Sequence, residues 1–172
     1  PNPLTWDQKF VGQYPYISQV GKPTGMMYGY IYLGTYKNED FNSAGLLRDG
    51  VPYMAEYSRG DIKPGDAKYM DINGDGKITE DDRTIIGCGQ PIHTGGFNST
   101  LAWKNFDLNF FFAWSYGNDA LNANRLIFES GASRELNQLS SYANRFNSLT
   151  NPTSDIPAAY ANGTMVYSSR VV

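Results

Sequence analysis

The sequence has little of what catalysis, disulfide scaffolds or nucleic-acid binding require. Cys88 is the single cysteine in 172 residues. An internal disulfide framework and a cysteine-based zinc site are therefore excluded, and the thiol is expected to sit as a small apolar residue. His93 is the single histidine and is read as ending a strand, without a catalytic role. Charged residues make up only 18% of the chain, with a net charge of −3 and a pI near 5.1. No basic stripe offers a footprint for nucleic acid. No triad set, zinc-ligand spacing or phosphate-cradling glycine loop occurs, so the chain is not expected to be an enzyme. A run of about eighteen apolar residues is also missing, which excludes a membrane helix but not a membrane β-strand, whose signal is only alternation over roughly ten residues. The chain opens on Pro1 without a signal peptide and reads as a processed product or a fragment of something longer.

What is abundant points to β-structure. Aromatic residues are 15% of the chain, with thirteen Tyr, beside 18 Gly, a composition that favours strands and weighs against disorder. The length suffices for one core.

One stretch demands a particular chemistry: Asp71-Ile-Asn-Gly-Asp-Gly-Lys-Ile-Thr-Glu-Asp-Asp82. Calcium takes six to eight oxygens at about 2.3–2.6 Å, and a twelve-residue loop of EF-hand type supplies them from positions 1, 3, 5, 7, 9 and 12. Those positions are Asp71, Asn73, Asp75, the Lys77 carbonyl, Thr79 (directly or through water) and Asp82. Gly76 falls at position 6, where the loop must turn sharply. Ile78 is the apolar residue that can anchor the loop to what lies beneath. A metal-free polar turn is the alternative, since Asn73-Gly74 and Asp75-Gly76 are turn signals on their own. The register of glycine and three carboxylates favours calcium. Asp82 stands where an EF-hand has a bidentate Glu, and with the dockerin-like look of the loop this points to a static structural site. Thr79 to Asp82 also predicts a capped helical turn.

Elsewhere the pattern is mostly that of strands and loops. Pro1 to Pro23 is irregular or a frayed strand end. Met26 to Tyr36 alternates Tyr28, Tyr30 and Tyr32 with apolar residues and predicts one strand with a tyrosine face, read chiefly as packed sheet or aromatic belt and secondarily as a sugar-stacking surface. Lys37 to Ala67 predicts a long loop with at most one short strand near Val51 to Tyr57. The Arg59-Gly60-Asp61 tripeptide is set aside, because three residues recur by chance.

The clearest signal runs from Gly95 to Ser115. Phe97, Leu101 and Trp103 share one face of a first strand, and Phe106, Leu108, Phe110, Phe112 and Trp114 share one face of a second. A two-residue turn at Lys104-Asn105 sets Trp103 opposite Phe106, Leu101 opposite Leu108 and Phe97 opposite Phe112, so both apolar sets meet on one side. Each strand is about ten residues, long enough to cross a bilayer at a barrel's tilt. A soluble β-sandwich gives the same alternation. Beyond Gly117, spacings of three and four predict helical or partly helical stretches over Asn118 to Ser130 and Ser133 to Ser148, and Tyr167 to Val172 could begin another strand. A connection of roughly fifty residues is far longer than typical loops.

Taken together, several stretches resemble the SusC/RagA-like family, TonB-dependent transporters of the Bacteroidetes outer membrane. They are Gly25-Met-Met-Tyr-Gly-Tyr30, Gly65 through Thr79, Asp82-Arg-Thr-Ile-Ile-Gly87, Thr94-Gly-Gly-Phe-Asn98, Phe106 through Phe112 and Ser115-Tyr-Gly-Asn118, with Ile156-Pro157 and Ser168-Ser-Arg170. Cys88 departs slightly from the family, which has a less bulky residue there.

The resemblance implies a mainly β chain, residues 1–172 forming part of the C-terminal region of a 22-stranded transmembrane β-barrel with long extracellular loops, a calcium loop at 71–82, short helices and a long extracellular connection at 118–166. The plug, the TonB-contacting segment and the terminal strand would lie outside it. It further implies import of oligosaccharides or peptides across the bacterial outer membrane with a SusD-like surface lipoprotein and energy from the TonB complex. The short Lys104-Asn105 turn would then be periplasmic and the calcium loop extracellular. The competing expectation is a secreted, soluble, calcium-stabilised glycan-binding module.

Overall fold

The computed structural model describes residues 16–19, 21–131, 135–159, 161–164 and 166–172. The expectation for Pro1 to Pro23 falls outside them over residues 1–15 and 20, and the start of the stretch expected from Ser133 does so too. Among the described residues strands dominate, with one short α-helix and isolated 3-10 turns. The described residues divide into two compact units, 16–27 with 87–120 and 28–86 with 121–172.

In the first unit, β1 (Tyr16–Ile17) pairs antiparallel with the start of β2 (Met26–Gly29), Tyr16 opposite Met27. The main feature is the hairpin of β8 (His93–Trp103) and β9 (Phe106–Tyr116), eleven residues each. Its register sets Trp103 opposite Phe106, Leu101 opposite Leu108 and Phe97 opposite Phe112. The two-residue turn forms at Lys104-Asn105, where Lys104 takes φ 54°. Pairing every second side chain with an apolar partner fixes this alignment, because a slip by one residue would send each of them to the opposite face. His93 opens β8 and stacks on Tyr116 at 5.2 Å.

The second unit holds the core. The segment expected as one strand over Met26 to Tyr36 is broken: β2 ends at Gly29, Tyr30 makes an isolated parallel bridge to Ser168, and β3 (Tyr32–Thr35) starts anew. β3 runs antiparallel to β5 (Ala67–Tyr69) with a bulge between Tyr32 and Gly34. The tyrosines turn inward, Tyr30 and Tyr32 both against Tyr69 with ring centroids 5.6 and 5.7 Å apart. β4 (Tyr53–Met54) is the one short strand of the long loop, and it pairs parallel with β6 (Lys77–Ile78). Two apolar clusters result. Tyr30, Met54, Ala67, Tyr69 and Ile78 form one, and Tyr36, Phe41, Leu47 and Ile62 the other. β7 (Thr84–Cys88) follows the loop.

The partly helical reading holds for the long connection and the fully helical one does not: among the described residues, α1 (Asn124–Phe128) and a 3-10 turn at Ser140–Asn144 are the helical elements of 118–148. The expected final strand is a 3-10 turn at Ser169–Val171. Leu126 is buried from α1, Tyr142 from the 3-10 turn and Phe146 from irregular chain. This region is held by buried polar links: Glu129 accepts from Arg125 (2.9 Å), Arg170 (3.1 Å) and the Ser141 hydroxyl.

Candidate functional site

The 71–82 loop begins just after β5 and is bent by side chains accepting from the backbone. Asp71 takes the Gly74 N–H on Oδ1 (2.6 Å) and the Gly76 N–H on Oδ2 (2.8 Å). Asn73 Oδ1 takes the Asp75 N–H (2.9 Å), and Asp75 Oδ1 takes the Lys77 N–H (2.8 Å). These short polar side chains offer the chain an alternative to sheet pairing and wrap it into successive turns. Gly74 and Gly76 sit at φ 78° and 83°, which a side chain at either position would strain.

Beyond the turn, Lys77 and Ile78 become β6. Ile78 is 2% exposed, packed in the cluster with Met54 and Tyr69, and so anchors the loop as its sequence position implied. Burying such a side chain is worth about 1.5–3 kcal/mol. The capped turn also forms: Thr79 caps a 3-10 turn at Glu80–Asp82 and accepts from the Asp81 N–H. Arg83 leads out of the loop with its guanidinium 5.4 Å from the Tyr30 ring and 6.0 Å from that of Tyr28. That contact was not anticipated, although two tyrosines spaced by two on one strand face are what a cation needs to cover both.

Asp82 is the residue the structure uses most completely. It is fully buried, and its Oδ1 accepts from Ile72 N–H (2.8 Å) and Asn73 N–H (3.3 Å). Its Oδ2 accepts from Thr79 N–H (2.8 Å) and the Thr79 hydroxyl (3.3 Å). Burial alone would push this carboxyl up, but the bonds from Thr79, Ile72 and Asn73 outweigh it and hold it below the ordinary carboxylate range. Position 12 therefore ties the two ends of the loop together through backbone N–H groups.

As oxygen donors, the loop residues fit a hard cation in kind. A carboxylate has about four acceptor sites. Asp71 has two taken; Asp75 has one, plus a 3.4 Å contact from the Asn73 amide; Asp82 has all four. Among the described residues, no three His, Cys, Asp or Glu side chains converge as a metal cluster. The sequence-assigned positions Asp71, Asn73, Asp75, Lys77 and Thr79 thus line one turn with acceptor capacity left on the three Asx side chains, while Asp82 serves the loop's own backbone.

The hairpin is the second surface of interest. Phe97, Leu101, Trp103, Phe106, Leu108, Phe112 and Trp114 are all exposed, Phe112 at 59%. Phe110 is half-buried between Phe97 (6.0 Å) and Phe112 (5.7 Å). The other face is polar at Asn98, Thr100, Asp107 and Asn109, interrupted by Phe111. In water such an apolar face would need a cover; lipid supplies one. No helix among the described residues is long and apolar enough to cross a membrane.

No protein-family model matches the chain. Among curated proteins it is similar to TonB-dependent receptor P3 of Formosa agariphila, 36% identical over 148 residues, which are 86% of this chain and 13% of that protein. TonB-dependent receptor P26 of the same organism is 36% identical over 142 residues, 81% of this chain and 13% of the relative. TonB-dependent receptor P39 is 29% identical over 130 residues, 60% of this chain and 12% of the relative. The chain thus spans about one eighth of the length of the curated relatives it matches.

Proposed function

This chain belongs to the TonB-dependent receptor family, and from that premise we propose that it is part of an outer-membrane transporter of the SusC/RagA-like kind. In this reading, β8 and β9 are neighbouring strands of the barrel wall. The observation that carries it is the hairpin: two paired eleven-residue strands with an exposed apolar row on one face and a mostly polar opposite face. That is the length and alternation of a tilted membrane strand, with lipid outside and the lumen inside. The transported material is oligosaccharide or peptide, taken up with a SusD-like lipoprotein and driven through the TonB complex. The rival reading, a secreted soluble glycan-binding module, needs an open tyrosine platform, and Tyr30 and Tyr36 are instead buried. Cell fractionation separates the two: the full-length protein is expected in the outer membrane and in solution only with detergent. Its release as a soluble protein into the medium would overturn the transporter reading.

We further propose that the 71–82 loop is extracellular and takes Ca²⁺ as a structural ion through Asp71, Asn73, Asp75, the Lys77 carbonyl and Thr79. Asp82 joins only by exchanging one of its backbone bonds for the ion. Extracellular calcium sites work at dissociation constants of about 10⁻⁴–10⁻³ M. Calorimetric titration of the full-length receptor should give binding heat in that range, lost in Asp71→Ala and Asp75→Ala. Absence of heat at millimolar calcium in the wild type would overturn the assignment.

A further inference from the structure

Phe111 breaks the pattern of its face. It is 67% exposed on the side of the hairpin that otherwise carries Asn98, Thr100 and Asn109, while the other aromatic rings of β8 and β9 belong to the opposite row. Directly across from it stands Asn98, with Gly96 and Thr100 on the diagonals and Asn109 and Ala113 two residues either way along its own strand. Cross-strand spacing of about 4.5–5.5 Å, diagonals of about 7–8 Å and a rise of about 3.4 Å per residue put these neighbours within reach of one ring. Gly96 lies inside β8 without a left-handed φ, so its backbone does not call for glycine. Space does: a Cβ there would stand 3.2 Å from Phe111 Cε2 and 3.3 Å from its Cζ. A glycine in a strand interior marks a close approach, and here it seats the edge of the ring over the backbone.

We propose that Phe111, with Asn98, Thr100 and Asn109, is a sugar subsite on the lumen wall and takes one neutral ring of a transported oligosaccharide. The proposal rests on the transporter reading above and decides between the two substrate classes which that reading leaves open. Charge argues for the occupant. Asp107 is the charged residue of this face and lies farther towards the turn, so the surroundings of Phe111 are uncharged. A charged ligand would give up its water here without a counter-charge, which is costly. A wholly apolar ligand would leave the amides unpaired. A neutral sugar answers both: its C–H groups suit the negative π face of Phe111, and its hydroxyls, each donor and acceptor, match Asn amides and a Thr hydroxyl that are also both. One sugar ring carries these two surfaces together, whereas an extended peptide sets them on successive residues.

The test is saturation-transfer NMR with calorimetry on the full-length receptor in lipid nanodiscs, using a pool of neutral oligosaccharides from starch, cellulose, xylan and laminarin hydrolysates and, separately, a pool of short peptides. The wild type is expected to bind sugar, with saturation reaching the ring C–H protons. Phe111→Thr, a good strand former without a ring, should weaken that binding about tenfold, the size of a lost stacking contact. Phe111→Trp should keep it, and Phe112→Ala, on the opposite face, should leave it unchanged. Equal sugar affinity in wild type and Phe111→Thr would overturn the subsite. So would a wild type that takes none of the sugars, whether or not it takes the peptides. Either result leaves the transporter reading standing when the receptor fractionates with the outer membrane, whereas a receptor released soluble into the medium would overturn both.

Discussion

Single side chains explain how the site keeps its shape. Asp82 was legible as the last loop position, but its environment was not. Spacing can place a carboxylate at position 12, whereas only the folded chain reveals that Ile72, Asn73 and Thr79 saturate it. Glu129 was not legible at all, since its partners Ser141 and Arg170 come from elsewhere in the chain. Burial raises the Glu129 carboxyl, but the Ser141 hydroxyl and the Arg125 and Arg170 guanidinium groups more than offset this and leave it below the usual glutamate range. A carboxyl depressed on folding stabilises the fold above its unfolded pKa, about 4.3, and that contribution fades as pH falls through the lower folded value. Hydrogen exchange at 125–129 and 169–171 is therefore expected to accelerate as the pH drops below about 4 after correction for intrinsic rates. Glu129→Gln should flatten that dependence while exchanging faster at neutral pH.

Elements were legible in proportion to how local their causes are. The β8–β9 hairpin was read in full register because turn length and period-two alternation act within one short stretch. The Met26 to Tyr36 alternation was equally strong, yet the strand breaks at Tyr30, which bridges Ser168 and forms a bond from its N–H to the Tyr167 carbonyl (3.1 Å). No local pattern announces such a partner. The helical stretches expected after Gly117 form only in part, as α1 and one 3-10 turn, for a different reason. Asn and Ser recur throughout 118–148, and their side chains compete for the backbone, as when Asn147 Oδ1 accepts from Leu149 and Thr150 N–H groups. The hairpin carries its own prediction. Phe112 lies at mid-strand on the apolar face and Asn109 on the other, so Phe112→Lys should cost about 2–4 kcal/mol near the bilayer midplane. Asn109→Lys should cost much less. Reversible unfolding of the full-length receptor in lipid vesicles would measure the difference.

At the scale of the whole chain, the two units dispose of their large side chains differently. Residues 28–86 and 121–172 build a core of buried tyrosines and aliphatic side chains, within which the long connection is not a free loop: Asn162, Gly163 and Phe146 all meet the chain near Asp66. The length of the connection was evident from sequence, but its docking was not, because it depends on individual carbonyls and one glycine and not on an apolar stripe. The hairpin unit is the reverse case, with its large side chains outward and its register legible before its structure.

The strict two-residue rhythm of that ribbon has a further consequence for how related chains can differ. Swapping one greasy residue for another changes little, whereas inserting or deleting a single residue between Gly95 and Ser115 would invert the lining of everything downstream in the strand. Homologous receptors should therefore vary freely in letters here while keeping the count of letters fixed, and length changes should collect outside the ribbon.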